Sequence, residues 1–426
     1  MKRNIILVLA IIVLVGCTGY SPSSPPEITA TPQVTQADPI ETTSAWGIYD
    51  PDPNHLWNRV FRQFYRRTTL NGEEYGAAEL DPLLWFDTMY LLNGTSHQQA
   101  IEVLDEFLLT HAENLIRDPL KRAMFQRDVW AVFDWLASQS EPYPSQRRTL
   151  EALLAQIIGR VTLAKEEILS LPDNYALTIE SKTLPTNFQV DHPEKAFLPA
   201  DIFRSDSAWV SMGREGGPIA MTHTESFPFF ARSVFLVFVR APGGRMATLD
   251  FIDTLNTDPG KALTVGVDVV LVRRMLLIDD QGALILSPLV ESIQIRHFNP
   301  EQHFHEFELS RAHLFNSSAD SLVLKEHAFL LFMSHGDIFE IADLPALKVT
   351  VPQICKGCHF ENPPLPNPSN TQSIISYSRY PFSLPDNSKP MLFATTLADE
   401  AQTVIEWKMN HATWKSLKAL WNQANP

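Results

Sequence analysis

The sequence has few cysteines, no block of basic residues and no apolar run long enough for a permanent membrane span. Its 426 residues include only 3 cysteines, which excludes a small domain held together by a framework of several disulfides. Acidic residues number 49 against 34 lysines and arginines, and no basic run is longer than a pair. Because phosphate contacts need clustered cations, we expect no nucleic-acid partner. We interpret the arginine pairs at 66–67, 147–148 and 273–274 as solvated faces of helices or strands.

Several sequence signatures of enzymes are also missing. The chain contains no G-x-S-x-G nucleophile elbow, no phosphate-binding P-loop and no H-E-x-x-H zinc motif. The glycine-rich stretch at 213–218 lacks the strand-to-helix context that a dinucleotide site needs, so we expect it to form a turn. Nothing in the sequence therefore favours a hydrolase, and enzymatic activity is left open.

The N-terminus has the pattern of a secretion signal. Lys2 and Arg3 precede an apolar run from Ile5 to Val15, which is shorter than the ~20 residues of a membrane-spanning helix. The run ends in the sequence LVGC at 14–17, which resembles the cleavage box of bacterial lipoproteins. The resemblance implies a signal peptide over residues 1–17 and a lipid, such as palmitate chains on a diacylglycerol, at Cys17. The alternative is a generic signal peptide with an incidental cysteine.

Residues 18–45 are rich in serine, threonine and proline and have almost no bulky apolar side chains. Such a segment cannot bury enough surface to fold, so we expect a disordered tether. The lipid at Cys17 would then attach the protein to a membrane of the bacterial cell envelope, on the extracytoplasmic side. By resemblance to lipoproteins, Thr18 in place of an aspartate implies the outer membrane, on its periplasmic side, in a host with two membranes.

The rest of the chain falls into three segments, which together predict an α+β fold. Residues 46–172 have helical spacing of apolar residues, with Ser96 and Asp118 as candidate N-caps and a fourth helix at 145–171. Residues 173–349 contain short β-branched and aromatic stretches separated by turns, which predict a largely antiparallel β domain. Residues 350–426 form a short third segment with a predicted final helix over 396–421, in which Trp407, Trp414 and Trp421 share one face.

The chemistry of the chain is concentrated in one motif, Cys355-Lys356-Gly357-Cys358-His359. In c-type haem attachment, two thiols bond to the haem vinyl groups and the following histidine binds the iron, so C-x-x-C-H serves all three bonds. A disulfide between the two cysteines is the first alternative, but it leaves His359 unexplained. A structural zinc site is the second, although such sites usually need two cysteine pairs and only one is present.

The motif resembles that of c-type cytochromes, and the likeness extends loosely over the last 75 or so residues; no family is recognised for the whole chain. It implies one covalent haem c, held by Cys355 and Cys358, with His359 as the proximal iron ligand. Met391 follows a proline-rich loop and precedes the final helix, as the family's distal methionine does, and is our first candidate for the distal ligand. The family pattern is not complete, because the segment before Cys355 reads as strand or loop instead of helix.

Two further sets of residues offer alternatives around the iron. Met409 and His411 on the final helix are other candidates for the distal ligand, and Met391 could instead be a packing residue. His303 and His305 would share one face of a strand, as a metal pair or a second haem-side group. The alternative, which we favour for these two, is packing or hydrogen bonding at a sheet surface.

These observations predict a lipid-anchored, extracytoplasmic mono-haem protein that transfers single electrons to or from an envelope protein not identified by the sequence. Trp407 and Trp414 would form the walls of the haem crevice. The first alternative is a haem enzyme or sensor with an open distal position, in which the β domain supplies a pocket. The second is a haem-free envelope lipoprotein with a disulfide between Cys355 and Cys358.

Overall fold

The fold is known from a computed structural model that describes residues 47–70, 72, 74–77, 80–81, 89–139, 143–225, 229–257, 265–299, 301–316, 321–324, 329–331, 339, 347–349 and 391–424. The helices are α1 Leu56–Tyr65, α2 Gly94–Leu109, α3 Pro119–Ser138, α4 Pro144–Arg160, α5 Lys165–Leu169, α6 Asn174–Ser181, α7 Met221–Glu225, α8 Arg245–Thr257, α9 Arg311–Phe315, α10 Leu397–Asn410 and α11 Ala412–Ala424. The strands are β1 Arg67–Thr68, β2 Glu74–Tyr75, β3 Val210–Arg214, β4 Ser233–Arg240, β5 Asp268–Ile278, β6 Leu284–Asn299, β7 Glu301–Leu309, β8 Leu322–Leu324, β9 Phe329–Leu331, β10 Leu347–Val349 and β11 Leu392–Thr395. The chain therefore combines helices with a large antiparallel sheet, as the sequence predicts.

The first helices form where local signals predict them. In α1, the apolar residues at 56, 60, 61, 64 and 65 are all buried, which confirms the helical spacing. Helix α3 begins after Asp118, whose carboxylate accepts hydrogen bonds from the backbone amides of Leu120 and Lys121 at 2.8 and 3.1 Å. Pro119 occupies the first turn, where a missing amide hydrogen costs nothing. Ser96, by contrast, lies inside α2, which begins one residue after Asn93.

A seven-stranded antiparallel sheet forms the centre of the fold, in the order β11-β3-β4-β5-β6-β7-β8. Six of these strands follow chain order, whereas the last strand, β11, returns to pair with β3 at one edge. The longest ladder joins β5 to β6 and is interrupted by bulges on either side of Arg274. Such bulges bend a ladder and redirect side chains, and here Glu291 falls at the first of them.

Both faces of the sheet are covered. Helices α1 to α6, α10 and α11 contribute to one core with residues from β4 to β8. A smaller core on the other face is formed by Ile252 and Leu255 of α8 with residues such as Met212, Val269 and Leu392. Apolar residues of the described parts of all three predicted segments thus contribute to shared cores.

Three predicted elements differ from the structure. The fourth helix ends at Arg160, and a separate short helix, α5, follows it. Helix α8 lies within the predicted β segment, where it starts directly after two glycines with positive φ at 243 and 244. The predicted final helix is two helices, because the backbone of His411 is extended, with ψ of 144°, and α11 starts at the next residue.

Candidate functional site

Most residues that the sequence assigns to the haem and lipid sites lie outside the described residues. These are Cys17, Cys355, Cys358 and His359. The segment that carries the haem motif lies between Val349, the last residue of β10, and Met391, which immediately precedes β11. Met391 is therefore the one assigned residue whose position the structure gives.

Met391 lies at the edge of the large sheet. Its backbone carbonyl accepts a hydrogen bond from the amide of Glu215 at 3.0 Å, next to the last register pair between Leu392 and Arg214. Its side chain is 52% exposed, and that of Phe393, two residues further on, is 41% exposed. Because extended chain alternates faces, both side chains project from the same side of the strand, opposite the buried Leu392. The Phe393 ring lies over Gly213, where a Cβ atom would come within 2.7 Å of it.

A side-chain clamp fixes the chain directly after Met391. The Asn256 carboxamide donates to the carbonyl of Leu392 at 2.8 Å and accepts from its amide at 2.7 Å, so α8 holds both polar groups of this residue. The same pair of bonds recurs at two other strands. Gln126 holds Ile278 of β5 with two bonds of 2.8 Å, and Asn174 holds Val290 of β6 with bonds of 2.9 and 2.8 Å. Each carboxamide thus satisfies the backbone N–H and C=O of one strand residue, as a neighbouring strand would.

Helix α10 is anchored at its first turn. The Thr396 hydroxyl accepts a hydrogen bond from the amide of Asp399 at 3.1 Å and so caps the helix. One turn on, the carboxylate of Glu400 accepts the backbone amide of Ile219 at 2.7 Å. Burial raises the pKa of Glu400 to about 7, against the smaller lowering effects of that hydrogen bond and of Arg214.

The other end of α10 is tied to α3 by a buried ion pair. The Lys408 ammonium lies 2.8 Å from a carboxylate oxygen of Asp134, and it also donates to the carbonyl of Phe230 at 2.8 Å and to Thr413 at 3.1 Å. Both charged side chains are fully buried. Burial lowers the pKa of Lys408 to about 8, with Asp134 acting in the opposite direction.

The alternative distal ligands lie at the far end of α10 from Met391. Met409 is 53% exposed, and His411 is half-buried with its Nδ1 atom 2.9 Å from the Thr413 hydroxyl. Burial lowers the pKa of His411, and nearby Lys408 lowers it further. Trp414 is buried against Trp130, whereas Trp407 is partly exposed beside Gly217.

A network of buried charges connects α3 to the sheet. Arg127 of α3 donates to the carboxylates of Asp81 and Glu291, the latter at 2.6 Å. Arg273 of β5 also contacts Asp81, and its Nε atom lies 3.0 Å from Glu291. Arg232, just before β4, bridges Asp81 at 2.8 Å and Asp134 at 3.1 Å, which joins this network to the Lys408 ion pair.

The arginines of the network lower the pKa values of Asp81 and Glu291. Burial raises the pKa of Asp81, but Arg127, Arg273 and Arg232 together outweigh this effect and hold the pKa well below its usual value. Burial also acts on Glu291, whose pKa is nonetheless lowered by Arg273 and Arg127. Ion pairs of this kind hold elements together with defined geometry, and removing one partner leaves a buried charge uncompensated.

The predicted histidine pair lies on a strand. His303 and His305 belong to β7, where they pair with His297 and Ile295 of β6 and share one face of the sheet. The His297 ring stacks on Phe188 at 3.7 Å, and its Nδ1 atom lies 2.6 Å from Asp268. Burial lowers the pKa of His305. Within the part of the chain that the structure describes, no group of three or more His, Cys, Asp or Glu residues is arranged to hold a metal ion.

We expected the arginine pairs to lie on solvated faces, and this expectation is wrong for one arginine in each of two pairs. Arg67 and Arg273 are only 4% and 5% exposed, since one stacks between aromatic rings and the other belongs to the charge network. For the pair at 66–67, the sequence does show that further arginines lie nearby. Arg59 and Arg62 of α1 and Arg66 at its C-terminal end precede Arg67, so several cations lie close together in the sequence.

No helix among the described residues has the length and apolar character of a membrane span.

Comparisons with known proteins offer no relative. No protein-family model matches the chain, and searches of curated proteins and of solved structures found no match either. The case for a function therefore rests on the residues of this chain.

Proposed function

We propose that this protein is a lipid-anchored, extracytoplasmic carrier of one covalent haem c that transfers single electrons. The observation that carries the proposal is the Cys355-Lys356-Gly357-Cys358-His359 motif in a chain with one other cysteine. The remaining cysteine, Cys17, follows a secretion signal, which suits haem attachment because an exported chain meets the compartment where thiols form such bonds.

The surroundings of Met391 fit a haem ligand better than a packing residue. A methionine that fills a gap in a core is buried, whereas Met391 is 52% exposed. In the sequence, Met391 and Phe393 come soon after the segment that carries the motif. A thioether and an aromatic ring on one side of a strand are suitable groups to face a large apolar cofactor.

The scaffold holds Met391 in place through backbone contacts. The amide of Glu215 binds its carbonyl, and the Asn256 clamp fixes the next residue. All of these contacts are made by backbone atoms of Met391 and Leu392, so none of them uses the Met391 side chain. A ligand that is held by the protein in advance loses little entropy when it binds iron, so a rigid mounting favours a stable sixth bond.

The bound group would supply one reversible one-electron centre. The thiols of Cys355 and Cys358 would hold it covalently, His359 would bind the iron on the proximal side, and Met391 would bind it on the distal side. In this arrangement the segment 350–426 is the haem-binding part of the chain, while residues 46–172 and 173–349 form its helical and β-rich support. The lipid at Cys17 and the tether at 18–45 would keep the body near an envelope membrane.

The test separates haem attachment from lipid attachment. The full chain is produced in a bacterial host that has haem-attachment machinery, together with Cys355→Ala and Cys17→Ala. We expect a pyridine haemochrome spectrum from the parent, loss of covalent haem in Cys355→Ala with membrane fractionation unchanged, and the reverse in Cys17→Ala. A parent protein without covalent haem, whose peptide mass is two hydrogens below the reduced form, would replace this proposal with the disulfide.

Carbon monoxide distinguishes electron transfer from the haem enzyme or sensor. A reduced protein with both axial positions filled does not change its spectrum under carbon monoxide, whereas an open distal position does. We expect no change at neutral pH. A rapid spectral change in the parent protein would favour the enzyme or sensor.

A further inference from the structure

A cleft of about 620 Å³ lies at the surface of the helical part, and four arginines line it. Helix α1 contributes Arg59 and Arg62, Arg66 caps its C-terminal end, and Arg67 follows on β1. The volume is in the range of sites that bind small molecules. Such a concentration of positive charge is unexpected in a chain with a formal net charge of -15.

The arginines differ in their partners. Arg59 forms a bidentate pair with Glu106, with bonds of 2.7 and 2.6 Å, and Arg66 contacts Glu74. Arg62 donates to the backbone carbonyl of Pro53 and has no carboxylate partner among the described residues. Burial lowers the pKa of Arg62, the positive charges of Arg66 and Arg59 lower it further, and Asp52 raises it by a smaller amount. A bound anion would stabilise the charged form of Arg62.

Two aromatic residues also line the cleft. The Arg67 guanidinium lies between the rings of Tyr90 and Phe339, 4.0 and 4.4 Å from their centroids. This stacking fixes a rigid cation and two rings at the wall of the cleft. The one carboxylate at the lining, Glu102, is exposed and accepts a hydrogen bond from Gln98 at 2.8 Å.

We propose that this arginine cleft binds a small organic oxyanion with two or more negative charges, such as a phosphate ester or a polycarboxylate. Guanidinium groups bind both kinds of oxyanion through paired N–H donors, and several converging arginines favour a multiply charged ligand over chloride. Arg62 supplies the cation that forms no ion pair among the described residues. Arg59 and Arg66 flank it while paired with Glu106 and Glu74, and the rings of Tyr90 and Phe339 border the organic part. The site is built only from described residues and does not depend on the haem.

The test uses the full chain and three probes, pyrophosphate, citrate and chloride, at one fixed ionic strength. Calorimetric titration is expected to give saturable binding of one pyrophosphate or citrate per chain, with no binding of chloride. Arg62→Gln is expected to weaken that binding at least tenfold. The matched control is Arg148→Gln, which removes an exposed arginine from helix α4 and is expected to leave the affinity unchanged.

Folding and haem content are controlled separately. If Arg62→Gln lowers the melting temperature strongly, Arg59→Gln gives a second variant at a residue that is more exposed. Binding must also persist in Cys355→Ala, so a failure of haem attachment does not decide this result. Absence of saturable binding to either probe, or equal binding by the parent and the folded arginine variants, would overturn the proposal.

Discussion

The Lys408 ammonium lies 2.8 Å from the Asp134 carboxylate in the interior of the protein, where both side chains are fully buried. This contact joins α10, which follows the haem motif, to α3 of the helical part, 274 positions earlier in the chain. Removing the Lys408 ammonium leaves Arg232, at 3.1 Å, as the remaining ion-pair partner of Asp134 among the described residues. We therefore expect Lys408→Met to lower the free energy of unfolding by about 3 kcal/mol, the lower end of the range for breaking a buried pair.

Denaturant unfolding measures that change. Lys415→Met, on the exposed side of α11, is the matched control and is expected to change stability by less than about 0.5 kcal/mol. Equal effects of the two substitutions would contradict a structural role for the buried pair.

The Asn256 clamp is expected to matter for the haem as well as for stability. Asn256→Ala removes both partners of the buried Leu392 backbone and should cost about 1–3 kcal/mol. Since Leu392 follows Met391, the variant should also give a mixture of haem spectra. Asn174→Ala removes an equivalent clamp from Val290 and is the control, with similar destabilisation and an unchanged haem spectrum. If both variants alter the spectrum alike, the clamp acts only through global stability.

Glu400 makes stability depend on pH. The pKa of Glu400 is about 7 in the folded protein, against the ordinary value of 4.5 expected in the unfolded chain. Between these two pH values the folded chain therefore binds more protons than the unfolded chain. Its contribution is therefore fully present below about pH 4.5 and is lost as the pH rises through 7. We expect Glu400→Gln to flatten the stability profile in this window by about 1–3 kcal/mol relative to the parent. Glu406→Gln, at an exposed position of the same helix, should leave the profile unchanged.

Met391 and Met409 form a matched pair for identifying the distal ligand, because their side chains are 52% and 53% exposed. If Met391 binds the iron, the reduced Met391→Ala protein acquires an open position and binds carbon monoxide. The reduced Met409→Ala protein should behave like the parent. Carbon monoxide binding by Met409→Ala alone would transfer the assignment to Met409.

The elements that the sequence predicts correctly are those with local signals. Asp118 and Pro119 mark the start of α3, and the buried positions of α1 follow helical spacing, so neither depends on distant contacts. The break at His411 is invisible in the tryptophan spacing, because a single extended residue separates two helices. The structure supplies its cause, since the His411 ring accepts the amide of Thr413 at 3.3 Å and begins a new helix.

The charge network and the clamp could not be predicted in the same way. Arg127 and Asp134 lie in a stretch of α3, positions 123–136, that is buried throughout. Only their partners at positions 81, 291, 232 and 408 explain how these two charged side chains are accommodated there. Asn256 meets Leu392 across 136 positions. The motif at 355–359, on which the proposed haem depends, can be read from the sequence because it falls within five consecutive residues. The cleft arginines lie between these cases, since their spacing is local but the stacking of Arg67 depends on Phe339.

The return of β11 to β3 sets an order for folding. Thr395 pairs with Ser211, roughly 180 positions earlier, so this contact closes a long loop and forms late compared with the hairpins of the other strands. The β11 edge of the sheet, the hydrogen bond of Glu400 and the ion pair of Lys408 all require residues between 392 and 408, so none of them can form before this part of the chain is present. The two motif cysteines, which precede β11 in the sequence, are thus synthesised before that strand pairs with β3.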